Sequence, residues 1–304
     1  MNKVKYVLIT AAKNEESYIE NTIRSVLNQS VKPEKWIIVS DGSTDSTNDI
    51  VEKYKHEYKF IDLTALPPNI ERNFSSKVNA LNQALKKIEG MKYDFIGNLD
   101  ADVTLDKNYY EDVFRTFQAN PKLGVAGGII LDCIGDKVYP QNISLNTVAG
   151  AIQVFRKECF EKIGYYTPFK YGGEDAYMEI VARMMGWDVQ TLAELKVHHH
   201  RPTGTGMGSL SKANLRSGKM FYSLGYSSVF LLVRCFYRIF DKPVLIGSIL
   251  SIWGYFSAFI KKEKCPAGDA FINFVRSEQR ERLKSLLPFH KKRHVVKTSR
   301  MIKI

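Results

Sequence analysis

The apolar run FIGNL (95–99) ends on Asp100 and Asp102, a D-x-D in which two carboxylates stand where a buried strand reaches the surface. Carboxylate oxygens so placed suit a hard divalent ion, Mg2+ or Mn2+. Such an ion keeps open positions for phosphate oxygens and water, and it neutralises a diphosphate leaving group as its bond breaks. Aspartates are also ordinary turn residues, so the weight of this pair depends on its company. Asn14 and Glu15 follow one β-rich run and Asp41 follows the next. Glu174 and Asp175 open a helical pattern directly after two glycines, where plain capping is the simplest reading of first-turn acids. His198, His199 and His200 close a late strand, and strand alternation turns only some of them to any one side. Arg201 follows, with a guanidinium shaped to pair with phosphate.

The elements that must position these groups alternate. YVLITAA (6–12), WIIVSDGS (36–43), Lys59 to Leu63 and Asp94 to Leu99 read as strands. Between them, Glu16 to Leu27, Ser46 to Tyr54 (capped by Ser43 or Thr44) and Lys77 to Ile88 carry apolar residues at helical spacing. This is the pattern of βαβ units and a mostly parallel sheet. In open α/β sheets ligands bind beyond the carboxyl ends of the strands, so the polar groups there are expected to converge on one crevice. LGVAGGII and VAGAIQVFRKECF add strands running into a short helix, EDAYMEIVARMMG is a helix, and WDVQTLAELKVHHHRP supplies another strand. Glu179 and Arg183 lie four apart on that helix and are expected to form an internal ion pair.

Together AAKNEES (11–17), SDGSTD (40–45), NLDADV and YGGEDAYME resemble, in order and spacing, family 2 of the inverting nucleotide-sugar glycosyltransferases. The resemblance runs from about residue 4 to residue 201. It implies an α/β, Rossmann-like A-type glycosyltransferase fold with a mostly parallel central sheet, assigned here to residues 1–210. By the same resemblance Ala11, Glu15 and Asp41 hold the base and ribose, and Lys77, in SSKVNALN, matches a K-x-x-A-L-N pattern near the nucleotide. Asp100 then contacts the sugar nucleotide, and Asp102 ligates the metal with His199, and secondarily His200, completing the shell. Asp175 becomes the catalytic base, since inversion needs one group to take the proton of the attacking hydroxyl, and Glu174 an orienting neighbour. A nucleotide diphosphate sugar is the implied donor, with uridine the favoured base and guanosine or thymidine open.

The C-terminal part differs in kind. Residues 1–200 carry 24 Lys and Arg against 27 Asp and Glu, whereas residues 201–304 carry 20 against 5. PVLIGSILSIWGYFSAFI (243–260) has no charge, gains little on nucleic acid and much in lipid, and is flanked by lysines on both sides. Residues 211–304 are therefore expected to form helices lying in or re-entering the membrane interface, with 269–287 a basic amphipathic helix beside them. A membrane-surface partner and no nucleic acid follow from that reading; the organisation also resembles that of bacterial exopolysaccharide and lipopolysaccharide glycosyltransferases, which implies a lipid-linked or growing glycan acceptor. MNKVKYVLIT lacks a signal peptide's apolar stretch, so the expected location is cytoplasmic, peripheral on the inner face of the plasma membrane. Cys133, Cys159, Cys235 and Cys265 are scattered and support neither a zinc knuckle nor a disulfide framework. TGTGMGS (203–209) lacks the strand-turn-helix setting of a dinucleotide fingerprint and reads as a loop closing over the substrates. The rival functions are a nucleotidyltransferase on a similar sheet and a non-catalytic membrane or nucleic-acid binding module.

Overall fold

A strand apolar on both faces must lie inside a sheet covered by helices on either side, and YVLITAA takes that place as β1 (Tyr6–Ala12). In the computed structural model, which describes residues 4–68, 74–141, 144–201, 209–240 and 243–286, β1 runs parallel to β2 (Lys35–Ser40) on one side and β4 (Phe95–Asn98) on the other. β3 (Ile61–Ala65) lies outside β2, again parallel. The crossovers are α1 (Ile19–Leu27), α2 (Thr47–Glu57) and α3 (Phe74–Lys87). The spatial order β3-β2-β1-β4 reverses direction between β1 and β4, and the switch opens a crevice at their carboxyl ends.

Beyond β4 the sheet becomes mixed. β8 (Val154–Arg156) pairs antiparallel with β4 and with β6 (Leu123–Ile134), and β6 runs parallel to β9 (Asp188–His199). β7 (Lys137–Pro140) hangs on β6 as a hairpin. The short β5 (Val103–Leu105), immediately after the D-x-D, pairs antiparallel with the far end of β9. α4 (Tyr109–Ala119) sends Tyr110 and Phe114 onto Tyr6, at ring separations of 4.8 and 4.9 Å, and so anchors the aromatic core beneath β1.

α5 (Lys157–Ile163) and α6 (Glu174–Met184) complete the half that carries Asp175. Against α6 packs a helical region of α7 (Leu210–Ser223), α8 (Ser228–Tyr237), α9 (Ile246–Ile260) and α10 (Gly268–Leu286). α9 turns its small residues Gly247, Ser251, Gly254 and Ala258 inward, and Gly218 of α7 and Gly254 of α9 each sit against a carbonyl of the opposite helix with no room for a Cβ. That close crossing leaves the large apolar residues of α9 on its outer side, where Trp253 is 67% and Ile260 76% exposed. No helix among the described residues is long and apolar enough to cross a membrane. α9 has 15 residues, about 22 Å of rise against the roughly 30 Å of a hydrocarbon core.

Two local expectations change on contact with tertiary structure. The first-turn amide of Thr47 is met by Asp45 Oδ1 (3.1 Å) and not by Ser43 or Thr44, which are engaged with the preceding turn. The amphipathic 269–287 helix is α10, and its apolar side is not free for lipid, because Phe271 and Val275 are buried against Phe169, Ile180 and Leu224.

Candidate active site

The two acidic loops at the nucleotide end are interlocked. Asn14 adopts φ 55°, a left-handed conformation that asparagine tolerates better than most residues. In that turn its amide donates to Ser43 Oγ (3.1 Å), and its Oδ1 accepts from the amide of Thr44 (2.9 Å). Glu16 and Asp45 repeat the exchange, Glu16 N donating to Asp45 Oδ2 (3.1 Å) and Ser46 N to Glu16 Oε2 (2.9 Å). The Asp41 amide donates to the carbonyl of Ala12 (2.8 Å). Ala11, half-buried at the end of β1, Glu15 and Asp41 are thereby gathered on one rim, with Lys13 3.6 Å from Asp41.

The second group is assembled by β5. Because Val103 pairs with His199, and the His200 amide donates to the carbonyl of Asp102 (2.9 Å), the D-x-D lies beside the three histidines. His199 Nε2 is 3.5 Å from Asp102 Oδ1, while its Nδ1 bonds Asp132 Oδ1 at 2.7 Å. Arg201 pairs with Glu15 through Nη2, places Nε 3.4 Å from Asp102 Oδ2, and lies over the ring of Tyr18. One guanidinium thus ties the nucleotide rim to the D-x-D. His198 and His200 face the other way. His200 Nε2 is 2.9 Å from Thr104 Oγ1, and His198 Nδ1 is 3.7 Å from Cys133 Sγ.

Lys77 Nζ reaches both oxygens of Asp100, at 2.8 and 3.1 Å. Burial opposes its charge, but Asp100, with Glu174 and Asp175 behind it, holds the ammonium well above the ordinary lysine range. Burial also resists ionisation of both D-x-D carboxyls, and it raises the pKa of Asp100 against the opposing charge of Lys77. At Asp102 the bond to His199 and the charges of His199 and Arg201 outweigh burial and lower the pKa. His199 is buried as well, yet Asp102 and Asp132 together push it up to about 9.

Asp175 sits in the first turn of α6 behind a left-handed Gly173 (φ 104°), its Oδ1 accepting from the Ala176 amide at 2.8 Å. Its other oxygen lies over Gly150, where a Cβ would stand 2.5 Å from Oδ2, so only glycine admits the carboxylate there. Burial, then the charge of Asp175, pushes Glu174 up to about 7.

A hard divalent ion fits the Asp102 and His199 pair. The carboxylate and Nε2 face each other, and Asp132 behind Nδ1 fixes the ring as the outer partner of a metal-bound histidine does. Among the described residues no group of three or more His, Cys, Asp and Glu side chains is arranged to hold an ion. The protein would thus give two ligands and leave the remaining positions to phosphate oxygens and water.

Residues 7–181 match the family model for glycosyl transferase family 2. The chain belongs to glycosyltransferase family 2. Its sequence is similar to the poly-beta-1,6-N-acetyl-D-glucosamine synthases of Staphylococcus epidermidis, at 30% identity over 52% of this chain and 41% of the relative, and of Staphylococcus aureus, at 29% over the same shares. The matched region therefore spans well under half the length of those relatives. In fold this family 2 chain is similar to the mannosyltransferase PcManGT of Pyrobaculum calidifontis in complex with GDP-Man and Mn2+, at 17% identity, TM-score 0.54, over 93% of this chain and 81% of that one. It is equally similar to residues 1–349 of Staphylococcus aureus TarS in complex with UDP-GlcNAc, at 16% identity, TM-score 0.54, over 91% and 83%.

Three features of this family 2 site escape sequence reasoning. Asp132, just past the LGVAGGII run, carries no local signal, yet its register partner across the parallel β6–β9 ladder is His199. Arg183 makes the expected ion pair with Glu179 at its long limit of 4.0 Å, and it also forks onto Glu278 of α10 at 2.7 and 3.1 Å, a partner that helix spacing does not reveal. Glu179 is buried, accepting from the Val148 amide (2.6 Å) and from Gln153 Nε2 (2.9 Å). Gln153 also donates to the carbonyl of Asp175 (3.3 Å), so Glu179 braces the Gly150 turn against the helix that carries the carboxylate. The loop reading of 203–209 falls, except for Ser209, outside the described residues.

Burial, with the charge of Asp175, pushes Glu179 up to about 8. Between its unfolded value near 4.5 and about 8 the native state binds more protons than the unfolded chain. Stability from this group is therefore complete at low pH and is lost as pH rises through that window. Glu179→Gln keeps an oxygen acceptor without the charge. Its melting temperature should exceed the wild type's at pH 8 by an amount corresponding to ~2–3 kcal/mol, and the gap should close by pH 4.5. Parallel melting curves across that range would contradict the assignment.

Proposed function

We propose that the protein transfers a sugar, with inversion, from a nucleotide diphosphate donor, favoured as a UDP-sugar, to a hydroxyl of a lipid-linked or growing polysaccharide. The observation that carries this reading is the turn at 150–151, which both acidic groups adjoin. The Asp100 amide donates to the Ala151 carbonyl (2.9 Å), Asp175 Oδ2 lies against Gly150 and Lys77 bonds Asp100 (2.8 Å), which supports one crevice for the D-x-D and the helix-borne base. The rim of Ala11, Glu15 and Asp41 takes the base and ribose, and Arg201 and Lys77 orient the diphosphate and sugar. Asp175 accepts the proton of the acceptor hydroxyl as its oxygen bonds to the anomeric carbon and the bond to the diphosphate oxygen breaks, releasing the nucleoside diphosphate. Asp102 and His199 would hold Mn2+ or Mg2+, with His200, turned to Thr104, outside that pair; the ion supplies positive charge to the leaving diphosphate. PcManGT with GDP-Man and Mn2+, and TarS with UDP-GlcNAc, support a nucleotide-sugar donor and a divalent ion on this fold.

The acceptor reading rests on the outer face of α8 and α9. Phe236, Tyr237, Phe240, Ile249, Trp253 and Ile260 are exposed there, alongside basic residues Arg238 and Lys261. An apolar face rimmed by basic groups suits shallow insertion into an anionic leaflet. Such insertion supports a peripheral position on the inner face of the plasma membrane, beside a lipid-linked acceptor. The full chain incubated with UDP-GlcNAc, Mn2+ and an N-acetylglucosamine oligosaccharide should release UDP, and it should sediment with anionic but not neutral vesicles. Release of pyrophosphate would identify a nucleotidyltransferase instead. Absence of UDP binding, by calorimetry with Mn2+ present, would leave a binding module without catalysis.

A further inference from the structure

A cleft of about 560 Å³, within the size range of small-molecule sites, opens where α10 docks beside the end of α6. Arg183 ties its walls together. Nη1 donates to the Asn146 carbonyl (3.4 Å), while Nε and Nη2 fork onto Glu278, so α6, the segment leading to Gly150 and α10 are held at fixed spacing. Arg183 lies eight residues beyond Asp175 on the same helix, about 12 Å along its axis, which sets the cleft apart from the catalytic crevice. The segment from Asn146, at the cleft, to Gly150, against the Asp175 carboxylate, joins the two places.

One side of the cleft is an indole. Gly186, at φ 84°, ends α6 in the left-handed turn that glycine admits and brings Trp187 to the start of β9. The Trp187 amide donates to the Ala182 carbonyl (3.0 Å), and its Cβ and Cγ sit against Gly124, where an added Cβ would stand 2.6 Å away. The other sides are polar, lined by the amides of Asn146 and Gln190, the hydroxyl of Ser277 and a set of charges. Those charges balance. Arg183 and Glu278 neutralise each other, Lys284 covers Glu281 (2.7 Å), and Arg282 remains against Asp188. Among the described residues no hydrogen bond engages the side-chain amide of Asn146 or of Gln190, and both residues are exposed.

We propose that this cleft is a second saccharide site, which holds a distal part of the glycan acceptor while its reacting end lies at Asp175. The choice of a glycan rests on the transferase reading above. An ion finds no uncompensated charge of the opposite sign here, and an apolar ligand would strip water from amides and ion pairs without replacing its hydrogen bonds. A neutral sugar ring avoids both penalties. Its hydroxyls donate and accept, as the mixed lining requires, an acetamido group offers Asn146 or Gln190 a matching donor and acceptor, and the C–H face of the ring packs on the indole. A glycan long enough to reach the cleft and Asp175 together gains from both contacts, whereas a short one occupies the crevice alone.

The test titrates the full chain calorimetrically, without donor, with the dimer and the hexamer of N-acetylglucosamine. The wild type should bind the hexamer more tightly. Trp187→Ala should weaken hexamer binding about tenfold, the loss expected of one aromatic contact, and leave dimer binding unchanged. In transfer assays KM for the hexamer should rise by the same factor with kcat unaltered, and UDP affinity with Mn2+ should not move. Gln190→Ala, an exposed substitution outside the core, should give the same pattern at about threefold with an unaltered melting temperature, which separates the effect from misfolding of the Trp187 variant. Hexamer affinity equal to wild type in both variants would overturn the site, as would equal losses for dimer and hexamer, or a wild type that binds the hexamer no better than the dimer. Hexamer binding that depends on Trp187 in a chain that transfers no sugar would uphold the site and overturn the transfer reaction proposed above instead.

Discussion

Asp175→Asn is expected to lower sugar transfer by 10²–10⁴ or more, the range that a positioned general base contributes, while UDP-sugar affinity stays within about twofold. Asparagine preserves the features of the turn that are structural. Its side-chain oxygen can still accept from the Ala176 amide, and a planar amide fits over Gly150 as the carboxylate does. Only proton acceptance is lost. The carboxylate is divided: Oδ1 takes the helix amide, and Oδ2 lies against Gly150. Single-turnover kinetics with saturating donor check the rate, and calorimetry with UDP-GlcNAc checks binding. Transfer within threefold of wild type would remove Asp175 as the base. A matching loss of donor affinity would make it a binding residue.

Strands with continuous apolar runs were legible from composition and spacing alone. β1 spans the expected residues, and the polar groups after β1, β2 and β4 converge at the switch point that the alternation implies. The first turn of α6 was legible too, since two glycines before two acids mark a helix start. The part that joins these pieces was not. β5 has three residues, too few for any periodicity to show, yet its pairing with β9 brings His199 to Asp102. The choice among the histidines follows from that ladder, because neighbours on a strand face opposite sides: His199 turns to Asp102 and Asp132, and His198 and His200 turn to Cys133 and Thr104. Arg183 shows the same limit on a helix. The local partner at four residues pairs only at 4.0 Å, and the closer contact is Glu278, 95 residues away, because α10 docks there and offers both carboxylate oxygens to the guanidinium fork.

Asp102→Ala is expected to abolish the dependence of UDP binding on Mn2+. In the wild type, calorimetric Kd for UDP should tighten by at least tenfold when Mn2+ replaces EDTA; in the variant the two values should coincide. The variant removes a carboxylate that faces His199 Nε2 at 3.5 Å and Arg201 Nε at 3.4 Å, so some affinity is lost through Arg201 whether or not an ion binds. The comparison with and without Mn2+ cancels that part. Asp132→Ala supplies an independent grade. It leaves Asp102 untouched but frees the His199 ring from its 2.7 Å partner, and outer-shell losses of this kind cost 10–100-fold in metal affinity. Manganese titrations should therefore rank wild type, Asp132→Ala and Asp102→Ala in falling affinity. If UDP binding by Asp102→Ala still tightens with Mn2+ as in the wild type, the ion is held elsewhere, and Asp102 serves only to orient Arg201 toward the phosphates.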